Sequence, residues 1–300
     1  MEQIRPRITP QEYQFLLAHR EKTGTQQRNH LHNKLNIPDP DKPKVLLLDI
    51  ETSQMEGKFW DLKINGYIPH HRITKPSFVI CYSAEWLFQD GMMNDRVTSQ
   101  EAIMRDDKRV LQSAWDLLDM ADIVIGHNVK KFDVKKLNSR FFIHKMLPPR
   151  PYKMIDTLVE SRKAFAHASH KLDFISQLIS NKKKIKTDIE LWDDCEAGDF
   201  DRLVEMQTYC DEDVYLLQEA YIEIRPWIKS HPNLALFTHT SDSNAPFNCP
   251  YCNEAIDPEK IVWDTHHTTT ISRFKSFRHS CGGFVHTRNR DQIAVIKSVP

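Results

Sequence analysis

Asp49 and Glu51 stand two residues apart at the end of the apolar run Val45–Leu48. In an extended chain such residues leave the same face, about 7 Å apart. Two negative charges at the mouth of a buried strand are costly unless something positive compensates them. A divalent cation, with its preference for oxygen ligands, is the natural compensator; the plain alternative is a solvated strand end. Asp133 in GHNVKKFDVKKL follows a second apolar run and opens a helical pattern, where a carboxylate also suits the positive end of the helix dipole. Tyr209 and Asp213 are i, i+4 in RLVEMQTYCDEDVYLL, neighbours on one helical face. They flank the apolar stripe Leu203, Met206, Cys210, Val214 and Leu217, so a core-edge tyrosine beside a surface acid fits too. DxE and YxxxD each arise about once by chance in this composition, so the weight falls on their order along the chain.

The cysteines offer a second chemistry. Cys249 and Cys252 form a tight Cys-Pro-x-Cys turn, and Cys281 follows within FRHSCGGFVHTR. Zinc closes a structural site with four nitrogen or sulfur ligands in a tetrahedron. Three thiolates and one imidazole would supply them: His279 is the expected fourth ligand, with His286 as the alternative. Cys81, Cys195 and Cys210 are scattered and read as core thiols. Residues 271–290 hold Arg273, Lys275, Arg278, Arg288 and Arg290 with Phe274, Phe277 and Phe284 and no acid. That composition suits single-stranded nucleic acid, or the phenylalanines are the core of a small module.

The elements that must carry these residues can be read from periodicity. KVLLLDIET, PSFVICYSAEW and ADIVIGHN are buried-strand patterns. Residues 107–120, about 130–144, LDFISQLIS and 201–225 are helical. The helix near 130–145 holds Lys130, Lys131, Lys135, Lys136, Arg140 and Lys145 against one acid, as a phosphate-tracking helix or a solvated face would. Interleaved strands and helices predict a layered α/β domain. Four parts are expected: an extension over 1–43, with a helical pattern around Tyr13, Leu16 and Leu17; an α/β domain over 44–230; a Ser/Asn/Pro-rich linker over 231–246; and a cysteine module over 247–300. The stretches Lys182–Lys184 with Lys186, and Asp188–Asp201, read as a solvated loop and linker.

Composition excludes other classes. With 300 residues, 41 Lys plus Arg and 41 Asp plus Glu, bulk charge gives no wholesale polyanion binder, though local patches stay open. Only 8 glycines occur, none spaced as GxGxxG or a phosphate loop, so a glycine cradle for nucleotides is out. MEQIRPRITP carries no apolar stretch and no run approaches a membrane span, so a soluble cytoplasmic protein without membrane partners is expected.

In chain order DIET, GHNxxxFD and YxxxD resemble the three motifs of the DEDD superfamily of 3′–5′ exonucleases, the DnaQ-like group with a ribonuclease H-like fold. The tyrosine in the third motif resembles the DEDDy subgroup, which includes the proofreading domains of DNA polymerases. MIDTLVESRKAF and KLDFISQLI resemble the helix pair between the second and third motifs. EIRPWIKSHPN followed by the cysteine module resembles a phage and bacterial group of stand-alone exonucleases, whose location would be the host cytoplasm if phage-encoded. That group usually carries a second Cys-x-x-Cys-Gly, whereas here position 278 is Arg. The resemblance covers roughly 44–290.

It implies a ribonuclease H-like mixed sheet flanked by helices, with a small zinc-binding module. It also implies two Mg²⁺ or Mn²⁺ ions held by Asp49, Glu51, Asp133 and Asp213, and one structural Zn²⁺ on Cys249, Cys252, His279 and Cys281. Asp49 would bridge the two ions, Glu51 and Asp213 would complete the water-activating site, and Asp133 would support the second ion. A tyrosine hydroxyl titrates near pH 10, so Tyr209 would orient the attacking water rather than deprotonate it. Thr52, His127, Asn128 and Phe132 fall where the family lines the pocket of the terminal nucleotide. The expected substrate is a single-stranded or frayed DNA 3′ end, acted on in trans to a DNA polymerase or independently. Trimming of RNA 3′ ends and a catalytically silent nucleic-acid-binding or polymerase-tethering module are the alternatives.

Overall fold

A computed structural model describes residues 42–60, 66–180, 187–237 and 247–294. The expected helix around Tyr13, the Lys182–Lys184 run and residues 238–246 lie outside them. All elements below belong to one compact unit, Pro38–Pro300.

The centre is a mixed sheet in the order β5-β4-β1-β6-β7: β1 (Val45–Thr52), β4 (Val79–Trp86), β5 (Gln89–Arg96), β6 (Ile123–Gly126) and β7 (Lys153–Asp156). β1 pairs antiparallel with β4 and parallel with β6. A short hairpin, β2 (Glu56–Gly57) and β3 (Ile73–Lys75), leaves the end of β1. Among the described residues seven α-helices accompany the sheet, in chain order α1 (Ser99–Met104), α2 (Lys108–Met120), α3 (Asp133–Ile143), α4 (Thr157–Ala164), α5 (Leu172–Ser180), α6 (Glu190–Ala197) and α7 (Phe200–Ile224).

The continuous apolar run of β1 follows from burial on both faces. Leu46, Leu48 and Ile50 pack with α2, α3 and α6 on one side, whereas Val45 and Leu47 pack with α5 and the second half of α7 on the other. α7 serves both cores, Leu203–Cys210 entering the first and Val214–Ile224 the second. Tyr209 and Asp213 therefore lie where the helix passes from one to the other.

Three readings are corrected. Residues 154–156, expected as the start of the helix MIDTLVESRKAF, belong to strand β7, and the helix begins at Thr157. Asp188–Asp201, expected as a linker, contains α6, whose Leu191 and Cys195 are fully buried; its density of acids conceals two core positions. Residues 231–237, the start of the expected linker, include Leu234, fully buried against Tyr221, Ile224 and Ile228. Beyond them lie β8 (Phe247–Asn248), β9 (Ala255–Ile256), β10 (Thr265–Thr268), β11 (Ser272–Arg278), β12 (Phe284–His286) and β13 (Gln292–Ile293). β11 is the centre of a small sheet with β10, β12 and β13. Among the described residues no helix is long and apolar enough to cross a membrane.

Candidate active site

β1 pairs with β4 as far as Thr52 but with β6 only over Val45–Leu47. Its last residues thus present an edge beyond the end of β6. A register shift between Glu51 and Thr52 re-aims the strand there, as bulges near active sites do. α7 crosses this end, and ligand oxygens of Asp49, Glu51 and Asp213 come within 4.8 Å of one another. Asp213 and Tyr209 are buried, Asp49 and Glu51 half-buried. The Cys210 thiol lies 3.6 Å from Asp49 Oδ2 and against Cys81, with both sulfurs in the core. Cys195 is equally buried, so all three scattered cysteines lie in the core.

Asp133 lies outside that trio. It is the first residue of α3 and only 3% exposed. Burial pushes its carboxyl up to about 7, against the pull of its own amide and that of Ile50, with the charge of Asp156 raising it further. The Ile50 amide lies between Asp49 and Glu51 on the open edge of β1, so Asp133 faces the trio's strand.

The turn that delivers Asp133 is locally determined. A Cβ on Gly126 would sit 2.6 Å from Val129 Cβ and 3.1 Å from the Leu48 carbonyl. Asn128 takes φ 74°, a left-handed conformation that asparagine tolerates better than most residues. The fully buried Asp156 accepts from the amides of Asn128 (3.0 Å), Lys130 (3.2 Å) and Val159 (3.2 Å). Asp156 thus ties the turn to the start of α4. Sequence reading missed it, although an acid before Thr157 at a strand end is an N-cap signal.

The four expected pocket residues divide. Thr52 ends β1, half-buried. His127 is held by Thr157 Oγ1 and the His170 carbonyl, each at 2.9 Å, which makes it a brace of the turn. Asn128 is a turn residue by its backbone. Phe132 is 38% exposed beside Asp133, with Lys136 Nζ 5.7 Å from its ring centre. Of the six expected cations, Lys135, Lys136 and Arg140 lie on α3, with Lys130 and Lys131 in the turn before it and Lys145 beyond its end; Arg140 is buried in a bidentate pair with Asp107 and is structural.

α6, unforeseen from sequence, clamps the site from outside. Trp192 meets Tyr209 edge-on at 6.2 Å. Glu196 accepts from the Gln54 amide (2.8 Å) and Asp193 from its side chain (3.1 Å). Arg105 joins Glu196 and donates to Ser53 Oγ and the Gln54 and Pro76 carbonyls. The segment after DIET is therefore fixed on several sides.

In the cysteine module, ligand atoms of Cys249, Cys252, His279 and Cys281 lie within 4.8 Å of one another. Cys249 and Cys281 sulfurs are 3.7 Å apart, and Cys252 Sγ is 3.6 Å from His279 Nδ1. A tetrahedron of zinc–sulfur bonds has edges of about 3.8 Å, so the donor set fits zinc. His286 is not in the cluster; it stacks on His267 at 4.6 Å. A Cβ on Gly283 would meet the Tyr251 ring at 2.6 Å, which keeps the two halves of the module close. The acidic trio is an all-oxygen donor set and fits a hard divalent cation.

No protein-family model matches the chain, and no curated protein matches it. Among solved structures it is similar to the family B DNA polymerase from the hyperthermophilic archaeon Pyrobaculum calidifontis, at 16% sequence identity and a TM-score of 0.46, over 63% of this chain and 25% of that one. The chain thus spans about a quarter of that polymerase's length.

Proposed function

We propose that the chain is a metal-dependent 3′–5′ exonuclease of the DnaQ-like, DEDDy type, acting on single-stranded or frayed DNA 3′ ends and releasing nucleoside 5′-monophosphates. The observation that carries this reading is the meeting of Asp49, Glu51 and Asp213 within 4.8 Å, with Tyr209 on the same helix as Asp213. The sheet order, with antiparallel β5, β4 and β1 followed by parallel β6 and β7, supports a ribonuclease H-like assignment. In this reading Asp49, Glu51 and Asp213 hold the divalent cations, with Asp133 completing the set from the open edge of β1. Such a metal pair supplies hydroxide near neutral pH and neutralises charge on the leaving 3′ oxygen.

The protein's own groups do the rest. Tyr209 directs its hydroxyl at the attacking water, and Trp192 limits the swing of its ring. Phe132 offers a face to the terminal base, and Lys135 and Lys136 of α3 meet the backbone phosphates. Cys249, Cys252, His279 and Cys281 hold a structural zinc that closes the small module.

A time course on oligonucleotides labelled at either end, as DNA and as RNA, tests the proposal. The expected result is stepwise shortening from the 3′ end of DNA with Mg²⁺ or Mn²⁺. Internal cutting, 5′ shortening, or intact strands in both metals would refute it.

A further inference from the structure

The small sheet of the cysteine module has two unlike faces. Phe277 and Val285, opposite each other on β11 and β12, pack on the side of Cys249, Cys252 and Ile256. The registers His267↔Phe274, Ser276↔His286 and Arg278↔Phe284 put the alternate residues on the other side. There His267, His286, Arg278 and Phe284 are exposed and Phe274 is half-buried. These groups form a packed array. His286 stacks on His267, Phe274 lies 5.3 Å from His286, and the Arg278 guanidinium sits 4.2 Å above Phe284. The phenylalanines of this segment therefore split: Phe277 is core, and Phe284 is left in solvent.

The array runs on into the body of the protein. Arg278 and Phe284 line a cleft of about 660 Å³ together with Arg225, Pro226, Trp227 and Gly282 at the end of α7. Trp227 is 60% exposed there. Glu223 is the one acid among the described lining residues. Asp291, the nearest acid of the sheet, pairs with Arg273 and His266, which leave the strands on the opposite face. A surface of stacked rings and guanidinium groups, with Glu223 the one acid on the described cleft lining, is complementary to unpaired bases on a phosphate chain. A duplex offers no free base faces to it.

We propose that this face, continued by the Arg225–Trp227 corner, binds single-stranded DNA, with Phe284 and Trp227 stacking on bases and Arg278 and Arg225 taking phosphates. This deepens the exonuclease reading and rests on it for the identity of the strand. The test is fluorescence anisotropy of the full chain with a labelled single-stranded DNA oligonucleotide and with its duplex. The Asp49→Ala background without added divalent ions keeps the strand whole and leaves the zinc in place. Phe284→Ala and Arg278→Gln should each weaken single-strand binding about tenfold, ~1.4 kcal/mol. Arg278→Gln should also lower the salt slope by about 0.7. Phe284→Tyr, which keeps the ring, should restore affinity, and duplex binding should stay weak throughout. Affinities within about twofold of the background for both variants, or a Phe284→Tyr protein as weak as Phe284→Ala, would overturn the proposal. A wild-type chain that cleaves no DNA, yet loses strand binding in these variants, would sink the exonuclease reading and leave this one standing.

Discussion

At the scale of single residues, Asp49 stands where the proposed chemistry is concentrated. It is half-buried, at the end of β1, and its carboxylate meets Glu51 and Asp213. Asp49→Ala should therefore cut metal-dependent cleavage by about 1,000-fold or more, ~4 kcal/mol of barrier, with little change in melting temperature. In the proposed mechanism Tyr209→Phe removes only the hydroxyl assigned to orient water, and it should slow the reaction by about 10- to 100-fold, with substrate affinity kept. A loss as deep as that of Asp49→Ala in single-turnover kinetics would instead make the hydroxyl a proton-transfer group. These acids were legible in the sequence because each stands at a strand end or in a helix, where spacing fixes direction. Asp156 was not, since its role is to accept three amides from segments some thirty residues apart. Trp192 was hidden for a different reason: its partner Tyr209 lies on the next helix, and local pattern carries no information about that packing.

Among the elements, the ones with a clear period were readable: β1, β4, β6, α2 and α7 have their apolar residues where burial places them. β5 was not. Its sequence QDGMMNDR is polar, and only Met93 is buried, which is how an edge strand reads when one side faces water. α6 escaped because acids surround Leu191 and Cys195. Both cases put function at risk where patterns are weakest, since α6 fixes the chain after DIET through Gln54. Trp192→Ala should lower the turnover rate several-fold, on the order of 1 kcal/mol, with the Michaelis constant nearly unchanged and Trp192→Phe recovering much of it. Asp156→Ala should reach further into stability. Leaving three part-buried amides without their acceptor should cost roughly 2 kcal/mol, measurable by urea unfolding.

On the scale of the whole molecule, the cysteine module is seated against the end of α7 through His231. Its Nδ1 donates to the Pro232 carbonyl, its Nε2 accepts from the Tyr221 hydroxyl, and its ring lies 5.1 Å from Tyr251. Leu234 adds a bond from its amide to the Pro250 carbonyl at 2.9 Å. Burial drives the His231 pKa down to about 4, with the Arg225 charge helping and the Pro232 carbonyl opposing. A histidine held neutral in the fold costs nothing above its unfolded pKa near 6.5. Stability is then lost as pH falls from there toward 4, because the unfolded chain takes the proton first. Between pH 7 and pH 5 the loss should be about 2 kcal/mol, and His231→Gln should flatten that slope in unfolding titrations. The sequence announced the module by its cysteines but not its docking, which depends on a histidine in a stretch that composition marks as linker.

The claim on which the rest depends is that oxygens from β1 and α7 hold divalent cations together. Crystals of the full chain soaked in Mn²⁺ and measured at the manganese absorption edge test it directly. The account predicts anomalous density between the carboxylates of Asp49, Glu51 and Asp213, lost in Asp49→Ala crystals. Manganese bound only elsewhere, or density there that persists without Asp49, would contradict it.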